Sequence, residues 1–256
     1  MATVSLYIML FVIALFANGL SALAGGGAGL LQLPALLFLG LPFVLALATH
    51  KIASVFLGVG ATLRHLKEGK LDGRLLWTLF AFGVPGVIAG ALWVLKWENH
   101  VAELVLGFFT ISVGLYSWFS PTLGVRSEPR NREGLKFWLG GLGLTLIGVL
   151  NGSVTSGTGL YVTLWLILWF GLSYGQAVAY TLVVVGLAWN GVGAFTLAVQ
   201  TKVLWLWLPP LILGALLGGY AGAHLSILKG NRLVKRCFEV LTLLVGSSVI
   251  YKALSV

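Results

Sequence analysis

Ser21–Ala35 reads SALAGGGAGLLQLPA, with Gly25, Gly26 and Gly27 in succession between two apolar runs. Glycine inside a helix is less favourable than alanine by about 1 kcal/mol. Three in a row therefore predict a break. Before it lies an apolar segment at 4–23, and after it a short one at 28–39. At 1.5 Å per residue the short segment measures about 18 Å, a little over half of a ~30 Å hydrocarbon core.

The rest of the chain repeats this apolar character. Long segments run at 43–66, 75–95, 101–119, 135–151, 174–199, 204–228 and 236–254, and a second short one at 158–170. The 256 residues are 59% hydrophobic and 9% charged, with mean hydropathy +1.00. So few charges cannot cover a water-soluble surface, whose domains carry about 25% charged residues. The long segments predict a polytopic helical membrane protein, and a β-barrel would show short alternating segments instead. The start resembles a signal peptide, with Ala22, Leu23 and Ala24 in place of a cleavage site. It lacks a basic leading region and reads as the first helix.

The net charge is +9. A nucleic-acid partner does not follow, because the basic residues fall in short loops, where they report topology. A single cysteine, Cys237, excludes an internal disulfide. His50, His65, His100 and His224 have no metal-ligand spacing. No metal or cofactor is expected.

The halves look alike. Asn18–Leu30 matches Asn151–Leu160 with a small deletion, Gly40–Lys51 matches Gly171–Leu182, and Gly86–Ala91 matches Gly218–Ala223. Thr110 and Gly114 fall on Thr242 and Gly246. The expected fold is an all-α polytopic membrane protein of two inverted repeats. Each repeat has four long helices plus one short half-helix after a break. The repeats occupy 1–119 and 135–256, joined by a polar, basic cytoplasmic linker at 120–134. Charge selects the inverted arrangement. If the short segments cross, Arg64, Lys67, Lys70, Arg74, Arg126, Arg130, Arg132, Lys136, Lys229, Arg232, Lys235 and Arg236 share one side. Only Lys96, Lys202 and Lys252 lie opposite, the bias expected of a cytoplasmic face.

Irregular backbone at membrane depth is tolerated where it lines a cavity. Inverted-repeat transporters aim half-helix N-termini, with free N–H groups and a positive dipole end, at anions near the midplane. Gly25–Gly27 precede one short helix. Thr155, Ser156, Gly157 and Thr158 precede the other and add hydroxyl groups. Gly86, Gly90, Gly218 and Gly222 read instead as helix-packing positions.

Lys51 lies inside an apolar segment, and the chain's seven carboxylates fall in loops or near segment ends. An intramembrane cation is costly and faces a cavity or a partner. A substrate anion is the favoured counter-ion, the alternatives being a neutral or a snorkelling lysine. His50 is either a charge switch near neutral pH or a plain polar cavity residue. Thr49, Gln32, Thr181 (in the place of His50 in the second half) and Asn190 complete the candidate substrate-binding set. Asn18 and Asn151 precede the two breaks. Most of the ten tryptophans read as interfacial anchors or lipid-facing residues.

These motifs resemble the sulfite exporter TauE/SafE family, within the 4-toluene sulfonate uptake permease group. The resemblance rests on AGGGAGLLQLP, GLPFVLALATHK leading into LRHLKEGKLD, and FGVPGVIAGA. In the second half it rests on NGSVTSGTGL, GLSYGQAVAYTLVV and GALLGGYAGA. It covers nearly the whole chain in order. It implies a permease for sulfur-containing anions, among them sulfite and sulfonates. The family's glycine stretch maps to Gly25–Gly27, and its Thr-polar-Lys element to Thr49, His50 and Lys51. His50 stands where Ser or Asn is more usual, and the second break is glycine-poor and lacks the following proline.

The leading expectation is therefore a secondary transporter, in the direction of export, in the cell's inner membrane. Its partners are a small anion, the bilayer and protons as a candidate coupling ion. A homo-oligomer is compatible with the sequence. An anion channel built from the same residues is the alternative. An intramembrane enzyme is disfavoured by the scarcity of acidic and paired histidine residues at membrane depth.

Overall fold

A computed structural model describes residues 2–25, 27–65, 71–119, 127–155, 157–229, 243–244, 246–251 and 253–255. The chain is a multi-pass helical membrane protein. Among the described residues seven helical stretches are long and apolar enough to cross a bilayer. With no water in the hydrocarbon core, a spanning segment must satisfy its own backbone, and an α-helix does so. The helices of the first half are α1 (Ala2–Ala24), α2 (Ala28–Phe38), α3 (Phe43–His65), α4 (Gly73–Val94) and α5 (Asn99–Trp118). Those of the second half are α6 (Gly134–Ser153), α7 (Thr158–Leu168), α8 (Tyr174–Thr181), α9 (Asn190–Gln200) and α10 (Leu208–Lys229). The expected last segment, 236–254, lies partly outside the described residues, as do Lys67, Lys70, Arg126, Arg232, Lys235, Arg236 and Lys252.

Glycine decides which helices touch. A Cβ on Gly218 would meet the Leu15 carbonyl at 2.4 Å, and one on Gly222 would meet that of Gly19 at 2.0 Å. Gly86 closes in the same way on Thr145, and Gly90 on Val149, at 2.1 and 2.0 Å. So α1 packs on α10, and α4 on α6. Exchanging the halves converts one pair into the other. In lipid, such close backbone approach supplies the van der Waals contact that hydrophobicity does not.

The contacts also give directions. Phe11 and Gly19 of α1 meet Gly214 and Gly222 of α10 in rising order. Thr49 and Arg64 of α3 bond Leu204 and His224 in rising order, so α3 also runs with α10. Gly83 and Val87 of α4 meet Gly148 and Gly152 of α6 in rising order. In α4's register, Asp72 and Leu79 bond Tyr180 and Trp189, so α8–α9 runs with α4. By contrast, Gly58 of α3 lies on Gly186, and Lys51 lies on Gly193. That order falls, so α3 is antiparallel to α8–α9.

The segment expected as one helix at 174–199 is α8 and α9 joined by a π-helical stretch, Leu182–Trp189. The Asn190 N–H reaches back to the Val185 carbonyl, one residue further than in an α-helix. Trp189 sits at its end, fully buried rather than interfacial. Its Nε1 donates to the Leu79 carbonyl at 3.0 Å, and its ring fills the space above Gly83.

Candidate functional site

Both breaks share one backbone shape. Two left-handed residues, two positions apart, precede each short helix: Gly25 (φ 90°) and Gly27 (φ 111°), then Thr155 (φ 62°) and Gly157 (φ 67°). Gly27 and Gly157 occupy the N-cap positions of α2 and α7, and among the described residues no side chain caps either helix. Two other helices, α4 and α8, are capped, while α6 begins at Glu133 without a side-chain cap. Asp72 accepts from the Arg74 N–H at α4, and Ser173 and Gln176 form a capping box at α8. An uncapped N-terminus leaves backbone donors and a positive dipole end available to a ligand.

Those two ends open on a common cavity of about 30 Å³. Gly27, Ala28 and Gly29 line it from the first break, and Asn151, Thr155, Thr158 and Gly159 from the second. His50, Ser54 and Leu57 come from α3; Thr181, Leu182, Val185, Gly186 and Asn190 come from the strand of helix through the π stretch. The site thus lies where the two halves cross. Among the described residues lining it, none carries a carboxylate. A water needs roughly 10–15 Å³ on this scale, so the space in this conformation suits a small ion or head group.

Polar chains hold each break from the opposite half. Lys51 Nζ, on α3, donates to Asn151 Oδ1 at 3.1 Å, and Asn151 Nδ2 donates to Thr158 Oγ1 at 2.9 Å. The hydroxyls of Thr155 and Thr158 give their protons to the carbonyls of Asn151 and Thr155, both at 2.7 Å. At the first break, Thr163 Oγ1 donates to the Gly25 carbonyl at 2.9 Å and pairs with Thr181 Oγ1 at 2.9 Å.

Of the residues singled out from sequence, the cavity brings together Gly27, His50, Thr155, Thr158, Thr181 and Asn190. His50 faces Ser54 Oγ at 3.2 Å from Nε2, and Asn190 Oδ1 is buried with no hydrogen-bond partner among the described residues. Gly25, Gln32, Thr49, Lys51 and Gly157 stand outside the lining. Gly26 and Ser156 lie outside the described residues. Gly25 is a packing position, since a Cβ there would meet Val178 Cγ2 at 2.4 Å. Gln32 Oε1 accepts from Asn18 Nδ2 at 2.5 Å, tying α2 to α1. Thr49 Oγ1 bonds the Leu45 carbonyl and the Leu204 N–H, toward the α9–α10 connection. Lys51 is fully buried and stands one side chain behind the cavity wall.

Sequence reasoning did not select Ser54 or Asn151. Ser54 follows His50 by four residues, so it shares its helix face. Asn151 stood out as the partner of Asn18 in the repeat, yet its link to Lys51 spans a hundred positions.

Similarity to known proteins agrees with this architecture. The chain is 26% identical to a protein of Haemophilus influenzae named "Probable membrane transporter protein", over 97% of this chain and 96% of that one. It is 27% identical to "Probable membrane transporter protein YfcA" of Escherichia coli, over 95% and 89%. It is 23% identical to "Probable membrane transporter protein YunE" of Bacillus subtilis, over 97% and 98%. No solved structure matches it. A sequence model described as "Sulfite exporter TauE/SafE" matches residues 10–249, so the chain belongs to that family.

Proposed function

We propose that the protein is a secondary permease for small sulfur-containing oxyanions, sulfite or sulfonates, working in the direction of export by alternating access. The observation that carries this reading is the cavity shared by the N-termini of α2 and α7 and backed by Lys51, where among the described residues no side chain caps either helix and no carboxylate is in the lining. Free N–H groups and converging dipole ends suit an oxyanion.

Alternating access requires two repeats that move against each other around a fixed site. We take these to be inverted repeats. The directions of the helices support this: α1, α3 and α10 run one way, and their repeat counterparts α6, α8–α9 and α4 run the other. The face bearing Arg64, Arg74, Arg130, Arg132, Lys136 and Lys229 is then cytoplasmic.

Flux in proteoliposomes over a panel of sulfite, thiosulfate, sulfate and sulfonates, with and without a pH gradient, tests the reading. Saturable sulfite or sulfonate movement with counter-transport is expected. Movement of none of them would sink it. Topology has its own check. Lys136→Cys is expected to resist an impermeant thiol reagent from outside the cell, and Lys202→Cys to react.

A further inference from the structure

The chain from Lys51 to the second break has a direction, and one residue fixes it. An ammonium only donates, whereas an amide and a hydroxyl can each face either way. Lys51 Nζ bonds Asn151 Oδ1, so the Asn151 carboxamide must turn its NH₂ edge to Thr158. Thr158 must then accept, and its own proton goes to the Thr155 carbonyl. Asn151 lines the cavity, and Nδ2 carries a second proton beyond the one given to Thr158.

The first half lacks this device. Leu182 occupies the repeat position equivalent to Lys51, and Asn18 the position equivalent to Asn151. Asn18 instead gives its N–H groups to the Ala14 carbonyl and to Gln32, and lines no part of the cavity. Among the described residues no carboxylate forms a salt bridge with Lys51. Its Cδ, Cε and Nζ lie tight against Gly193, where an added Cβ would stand 3.1 Å from each. The ammonium thus stands behind the wall, over Gly193, and faces Asn151.

We infer that Asn151 is the anion-facing side chain of the second break, and that Lys51 is a positioning residue that orients its amide and supplies charge from behind. This rests on the anion reading above. Lys51 sets a donor edge toward the cavity. It does so from one half of the molecule onto the break of the other. The anion then meets N–H groups on both sides: backbone N–H at α2 and α7, and the Asn151 amide between them.

Asn151→Asp is the sharpest variant. The carboxylate pairs with Lys51, keeps the packing, neutralises the ammonium and removes the NH₂ donor. Melting in detergent is expected to stay near wild type while sulfite affinity falls about tenfold or more, the equivalent of one lost hydrogen bond to a charged group. Wild-type sulfite affinity in Asn151→Asp would overturn the assignment of Asn151. A second measurement needs no ligand. Lys51→Met, Asn151→Leu and the double variant are melted together. If Lys51 acts through Asn151, the double variant melts no lower than the worse single variant. Additive losses would overturn the positioning role. Wild-type protein that binds no sulfite, with a non-additive cycle, would fail the permease reading and leave the positioning role standing.

Discussion

At the first break the left-handed residues are Gly25 and Gly27; at the second they are Thr155 and Gly157. The backbone takes the same course at both, and the chemistry that holds it differs. Gly25 is needed twice over: its φ is positive, and Val178 fills the space a side chain would take. Thr155 carries a Cβ in the same conformation, a departure that costs about 1–2 kcal/mol. Its hydroxyl offsets this by bonding the Asn151 carbonyl, one of the carbonyls a helix end leaves without a partner. The glycine-rich break thus contributes shape and backbone donors. The glycine-poor break contributes the side-chain network, reached from Lys51. A run of glycines in a membrane segment marks where the chain turns, and the polar groups gather where the same turn is made without them.

The largest expected effect comes from removing the shape at the first break. Gly25→Val adds strain at φ 90° and a clash with the buried Val178 side chain. Overpacking of this kind costs about 1–3 kcal/mol, and the left-handed conformation about 1–2 more. Folded yield and melting temperature are expected to fall together. A well-folded Gly25→Val that lost only anion binding would show that Gly25 contacts the ligand after all.

Next in size is Thr158→Val, which keeps volume and deletes the hydroxyl. Asn151 Nδ2 loses its acceptor, and the Thr155 carbonyl keeps only the Thr158 backbone N–H, at 3.3 Å. One buried donor left open amounts to about 1–3 kcal/mol before relaxation. Melting should drop, and sulfite affinity should fall with it, because the Asn151 amide is no longer held. The pairing of the second break with Lys51 is sharpened if Lys51→Met shows the same loss of affinity with a smaller loss of stability.

The segments themselves were legible. A spanning helix must be apolar over a fixed length, so the expectation of 43–66 meets Phe43–His65, and that of 204–228 meets Leu208–Lys229. The π stretch was not legible, because a shift of one hydrogen-bond register over eight apolar residues leaves no mark in hydropathy. For a related reason nothing set Trp189 apart from the other tryptophans. An indole with its N–H in water and one bonded to the Leu79 carbonyl look the same in sequence. At the site, His50, Thr181 and Asn190 stood out as polar residues in apolar runs. The placement of Lys51 behind Asn151 did not, since it depends on how α3 crosses α6. Nor could sequence tell where a threonine proton goes. Thr155 and Thr158 read as donors to an anion, and their protons are engaged by carbonyls.

The smallest effect tests the comparison most directly. Thr155→Gly gives the second break the glycine found at the first. The left-handed penalty of about 1–2 kcal/mol disappears. Against it stand the lost bond to the Asn151 carbonyl, about 0.5–1.5 kcal/mol, and glycine's greater freedom in the unfolded chain, about 0.5–1 kcal/mol. These nearly cancel, so melting should move by only a few degrees in either direction. Sulfite affinity is the informative number. If the break serves through its backbone course and its N–H groups, affinity stays near wild type, because glycine adopts the same φ without strain. A clear loss of affinity at unchanged stability would mean that the Thr155 hydroxyl itself meets the anion. The two breaks would then differ in function as well as in the means by which each is held.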